Sequence, residues 1–158
     1  MKTNTILRRL LGAVALAGVV ASAAPGRAGD TSRASGGLVV YLGVVPADLI
    51  RAYSTAYPER HMHGGPPRGT THYHVMISIF DDATGRRVDD ATVEAEVAGV
   101  GLAGVRKRLE PMAIADTVTY GNYFSMIGHD RYRIRLHIRR PGAADAVETA
   151  FTYGHHLR

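Results

Sequence analysis

Thr71-His72-Tyr73-His74-Val75-Met76-Ile77-Ser78-Ile79-Phe80 is the stretch on which the fold reading turns. It alternates with a period of two. Tyr73, Val75, Ile77 and Ile79 share one face, and His72, His74, Met76 and Ser78 share the other. That period marks a β-strand with one buried side. Downstream, Tyr132, Ile134, Leu136 and Ile138 alternate with Arg133, Arg135, His137 and Arg139 in the same manner, and Pro141-Gly142 closes the run. Between them, Val93, Ala95 and Val97 oppose Thr92, Glu94 and Glu96. Shorter apolar or alternating runs at 38–42, 105–112, 120–126 and 147–153 complete the set. Turn signals separate them at 81–86 and 127–130. Residues 46–51 read as one helical turn, and 58–70, rich in proline and glycine, as a loop. No segment sustains a helical period. About seven short strands at regular spacing predict an all-β domain, an immunoglobulin-like β-sandwich.

The N-terminus reads differently. Lys2, Arg8 and Arg9 precede an apolar run over 10–20, and Ala21-Ser22-Ala23 offers a small-residue cleavage site. Positive, apolar and small segments in that order are those of a secretory signal peptide. The run is shorter than the roughly 20 residues a membrane span needs. The expected organisation is a cleaved signal peptide over 1–23, a disordered leader over 24–37 and one β-sandwich domain over 38–158, exported to the periplasm. The chain has no cysteine. Disulfides, lipid attachment at a cysteine, a thiol nucleophile and a thiolate metal site are therefore excluded. The net charge is +5, but three of the positive charges lie in the signal. Arginine is scattered along strands, not clustered with aromatic residues, so nucleic-acid binding is not expected.

Eight histidines need a reason. His72 and His74, two apart on a strand, project to one face, so their imidazoles are placed to share an ion, with Met76 in the same row. Imidazole suits Cu, Zn, Fe and Ni, and a thioether favours Cu(I). The competing reading is an ordinary solvated strand face. His61 and His63 sit in the flexible loop before that strand, where they either fold back over the row or remain a polar loop. His155 and His156 read as a polar tail, and His129 as an exposed turn residue. His137 shares its face with three arginines, which oppose a further cation. Met112, from composition alone, reads as a core methionine. No Ser/His/Asp set and no paired carboxylates stand out, so an enzyme is not expected.

Three segments carry a family resemblance. Residues 110–116 (Glu-Pro-Met-Ala-Ile-Ala-Asp), Tyr120-Gly121-Asn122 and the strand over 132–138 ending in His137-Ile138 together resemble the periplasmic iron-transport-associated proteins. Val40-Tyr41-Leu42 fits the same pattern. More loosely, the chain is similar to the YtkA-like periplasmic copper-handling domains. The resemblance implies an immunoglobulin-like protein that binds copper or iron and works with an inner-membrane metal transporter or a cuproenzyme, as a homodimer. It implies that His72 and Met112 are metal ligands and that His74 stands in for an acidic residue. Two departures follow from it. Thr119 occupies the place of a ligand histidine, and the histidine-bearing loop after the His-Ile strand shrinks to 141–146. The expected metal set is therefore His72, His74 and Met112, with the missing ligands replaced by His61, His63 or a C-terminal histidine (His155 or His156) or else the site altered or lost; copper is the expected ion and iron or another divalent metal the alternative. A metal-free interaction module, using the face of Arg133, Arg135 and Arg139, is the competing function.

Overall fold

A computed structural model describes residues 31–52, 64–114, 117–128 and 131–154. His61, His63, His129, His155 and His156 lie outside the described residues, as do the expected signal peptide and the proposed cleavage site. Eight antiparallel strands form one sheet in the order β1-β2-β3-β6-β5-β4-β7-β8. They are β1 (Ser32–Ser35), β2 (Leu38–Pro46), β3 (His72–Asp81), β4 (Thr92–Gly99), β5 (Val105–Ile114), β6 (Thr117–Ser125), β7 (Arg131–Arg139) and β8 (Val147–Gly154). The single helix among the described residues, α1 (Ala47–Ala52), follows β2 directly.

The alternating runs behave as their period dictates. On β7, Tyr132, Ile134, Leu136 and Ile138 are buried while the arginines between them are exposed. On β3, Val75, Ile77 and Ile79 are fully buried. These side chains meet Leu38, Val40, Val93, Ala95, Leu109, Phe124 and Phe151 in one core. The all-β expectation holds. The sandwich expectation fits as well: two halves, β1-β2-β3-β6 and β4-β7-β8, are joined into one sheet that curls almost into a barrel. The reason is β5, which at ten residues is long enough to serve both halves. Its first half pairs with β4 (Val93↔Leu109), and its second half pairs with β6 (Glu110↔Gly121).

Closure runs through the stretch read as a leader. Ser32–Ser35 pairs with β2, and the Ser35 hydroxyl donates to the Glu148 carbonyl oxygen across the seam to β8 (3.0 Å). Gly36, with φ +54°, turns tightly there; a Cβ would come within 2.7 Å of Val147. The ordered domain thus begins before residue 38. Its sequence is polar and shows no apolar alternation, because a short edge strand exposed on three of its four residues buries little.

After β3, Asp81 organises the turn. Its Oδ1 accepts from the Thr84 amide and hydroxyl (3.0 and 2.8 Å), and its Oδ2 accepts from Arg140 (3.1 Å). The Thr84 hydroxyl, then the Thr84 amide and Arg140, hold the carboxyl below its ordinary value of 3.8. A depressed carboxyl stabilises the fold above that range and loses its contribution as pH falls through it. Asp81→Asn is therefore expected to lower Tm at neutral pH. The gap between variant and parent should narrow below about pH 4, as thermal melts across pH will show.

Candidate metal centre

The His72/His74/Met76 face of β3 points away from the main core, and His72 and Met76 on it are half-buried. His74 is fully buried. The chain leaves β2 at Pro46 and enters α1, which brings Ala47 and Ile50 against Val45 and Tyr123. Under this small second core the His74 ring stacks on Tyr123, with centroids 4.6 Å apart and planes at 24°. The fully buried His74 is explained by this helix, which converts the outer face of β2, β3 and β6 into an interior.

Strand pairing brings Met112 to the same place. Met76 lies opposite Gly121 on β6, and His74 lies opposite Tyr123. On the other side of β6, Gly121 pairs with Glu110, and Thr119 pairs with Met112. Cross-strand partners share a face. Thr119, Gly121 and Tyr123 therefore face the same way as His74 and Met112, while Leu109 points into the main core. Met112 is 1% exposed yet lies outside that core cluster.

Gly121 is the hinge of the site. Its φ is not in the left-handed region, so the backbone does not require glycine here; the space does. A Cβ at 121 would lie 2.7 Å from His74 Nε2, 2.6 Å from Met112 Cε and 3.2 Å from Met112 Sδ. The imidazole nitrogen and the thioether sulfur thus converge on the one spot of β6 that carries no side chain. Copper suits this pair: an imidazole nitrogen is a ligand for copper in either valence, and a thioether is a soft ligand for it. His74 and Met112 are the residues that would hold it.

The other expected ligands fare differently. His72 lies opposite Ser125, four residues along β6 from Gly121 and so roughly 13 Å of strand away. By register it stands farther from Met112 than His74 does. Its Nδ1 is buried and has no hydrogen-bond partner among the described residues. Met76 flanks Gly43, where a Cβ would meet Met76 Cε at 3.4 Å. Among the described residues, no group of three or more His, Cys, Asp and Glu is placed to hold an ion. His137 is engaged on the opposite half of the sheet: Nδ1 lies 3.2 Å from Glu148, and Nε2 lies 3.3 Å from Arg106. The arginine face around it is laced with acid, since Arg135 pairs with Glu96 at 2.9 Å and Arg106 with Glu96 at 3.4 Å. That pairing reduces what it offers to an acidic partner.

Sequence reasoning missed Gly121 and Tyr123. Period two applied along β6 was the available signal, because it sets Thr119, Gly121 and Tyr123 on one face.

Solved structures share this architecture. FetP from uropathogenic Escherichia coli strain F11, in a copper-bound variant, superposes with a TM-score of 0.57 at 14% identity, covering 78% of this chain and 93% of that one. FetP as isolated after recombinant expression in the E. coli periplasm matches similarly, with a TM-score of 0.58. A copper-bound variant of Campylobacter jejuni P19 gives 0.56 at 13% identity, over 78% of this chain and 93% of its own. The chain has the fold of FetP and P19. A DUF4426 family protein from Pseudomonas aeruginosa PAO1 shares it too, with a TM-score of 0.60 at 14% identity over 80% and 94% of the two chains. No protein-family model and no curated protein sequence matches the chain.

Proposed function

We propose that this is an exported, periplasmic copper-binding protein that holds one ion between His74 and Met112 and delivers it to a membrane transporter or a cuproenzyme. The observation that carries the reading is the convergence of His74 Nε2 and Met112 Sδ on Gly121. The copper-bound FetP and P19 structures, which share the fold, support it. The export-type N-terminus and the periplasmic expression of FetP support the location.

The test is a copper titration of the purified chain against two variants that keep the packing. His74→Phe retains a ring to stack on Tyr123 but removes both nitrogens. Met112→Leu conserves volume, a change that cores tolerate well. Each is expected to weaken copper binding by about 100-fold, equivalent to ~2.7 kcal/mol. Affinities equal to the parent's in both variants would remove the reading.

Thr119 offers a gain-of-function check. Its hydroxyl is buried, has no hydrogen-bond partner among the described residues and lies across from Met112. Thr119→His adds an imidazole beside the thioether and is expected to tighten copper binding by about tenfold or more, read by competition with a chromogenic chelator.

A further inference from the structure

We propose that the site selects monovalent copper, Cu(I), over Cu(II), Zn(II) and Fe(II); this rests on the copper reading above and assigns the valence from the residues that surround Gly121. Three features carry it.

The donors are one neutral nitrogen and one neutral sulfur. Zn(II) in structural protein sites takes four ligands, almost always tetrahedral. Cu(II) prefers a tetragonal set of nitrogen and oxygen donors, and Fe(II) is typically held by two histidines and a carboxylate. A thioether contributes little to any of these ions, whereas it suits Cu(I).

The shell is short of hard donors. Across the β5–β6 ladder from Met112 stands Thr119, whose buried alcohol is a poor ligand for a divalent ion. The carboxylate nearest in register is Glu110, opposite Gly121, and Glu110 is exposed. Among the described residues no cluster of three His, Cys, Asp or Glu exists to make up the number.

The donors are also dry. His74 is 0% and Met112 is 1% exposed. The cost of moving an ion out of water rises with the square of its charge. A divalent ion therefore pays roughly four times what a monovalent ion of similar size pays, and among the described residues no buried carboxylate stands beside these donors to offset it.

The experiment uses the full purified chain under anaerobic conditions. Cu(I) is titrated in competition with bicinchoninate; Cu(II), Zn(II) and Fe(II) are titrated separately by calorimetry, with electron paramagnetic resonance on the Cu(II) samples. Only the binding that His74→Phe abolishes is assigned to the site. The expected result is one Cu(I) per chain, bound at least about 1,000-fold more tightly than any of the other three ions. Met112→Leu is expected to erase that preference, and Met112→His to shift it toward Cu(II) and Zn(II). A His74-dependent Cu(II) signal with an affinity within about tenfold of that for Cu(I) overturns the valence assignment and leaves the copper reading standing. Absence of His74-dependent copper binding in either valence overturns both.

Discussion

Gly121→Ala should cost this protein its metal and part of its stability at once. The added Cβ would come within 2.6 Å of Met112 Cε and 2.7 Å of His74 Nε2, so something must move. The methionine methyl can swing aside, because it ends a flexible chain. The imidazole cannot move as readily, since it is stacked on Tyr123 and covered through α1. Overpacking of this kind costs about 1–3 kcal/mol. The larger effect is on binding: the methyl group sits between the two donors, and copper affinity is expected to fall by about 100-fold or more. Denaturant melts and a copper titration on one preparation measure both. A variant that keeps the parent affinity would show that the space at 121 is not where the ion goes. Gly43→Ala serves as the control, because its Cβ meets Met76 Cε only at 3.4 Å, an ordinary contact.

Phe151→Ala is expected to produce the largest loss of stability, about 3–5 kcal/mol, typical of deleting a buried aromatic ring. Phe151 is 1% exposed on β8, pairs with Ile134 of β7 and lies under the Arg33 guanidinium of β1, 5.9 Å from its ring centre. It therefore supports both the core and the β1–β8 seam. For a domain of this size the loss corresponds to a drop in Tm of roughly 10–20 °C. Calorimetry reads it directly, and a drop below ~5 °C would mean that the seam and core relax into the space.

The parts of this architecture legible from residues were those where one strand decides its own burial. Val75, Ile77 and Ile79, and the Tyr132-to-Ile138 row, declare their inner faces by period alone. Outer faces were not legible in this way. The His72/His74 row reads as solvated unless the helix over 47–52 is known to lie across it, and that depends on tertiary packing. The meeting of His74 with Met112 was also out of reach of spacing. It requires β6, far along the chain, to insert between β3 and β5, and only the family resemblance pointed to that pair. His72, which looked equivalent to His74, pairs with Ser125, two residues farther along β6 from Gly121 than the partner of His74. The strand β1 was invisible for the opposite reason: Ser-Arg-Ala-Ser has no pattern to read, and its order comes from its neighbours.

The near-closure of the sheet bears on how this protein survives at high local concentration. A strand edge left bare invites another chain to pair with it and seeds fibrils. Here the terminal edges β1 and β8 face each other, and β1 is only four residues long. The first half of β5 pairs with β4 on one side, and its other edge, which has no strand partner among the described residues, carries Arg106, Lys107 and Arg108. Lys107 reaches over to the Tyr123 carbonyl oxygen at 2.6 Å, and the Asn122 amide donates to the Arg108 carbonyl oxygen at 2.8 Å. A like-charged copy arriving at that edge meets repulsion and side chains already bonded across it, so intermolecular strand addition is disfavoured without any disulfide to lock the sheet.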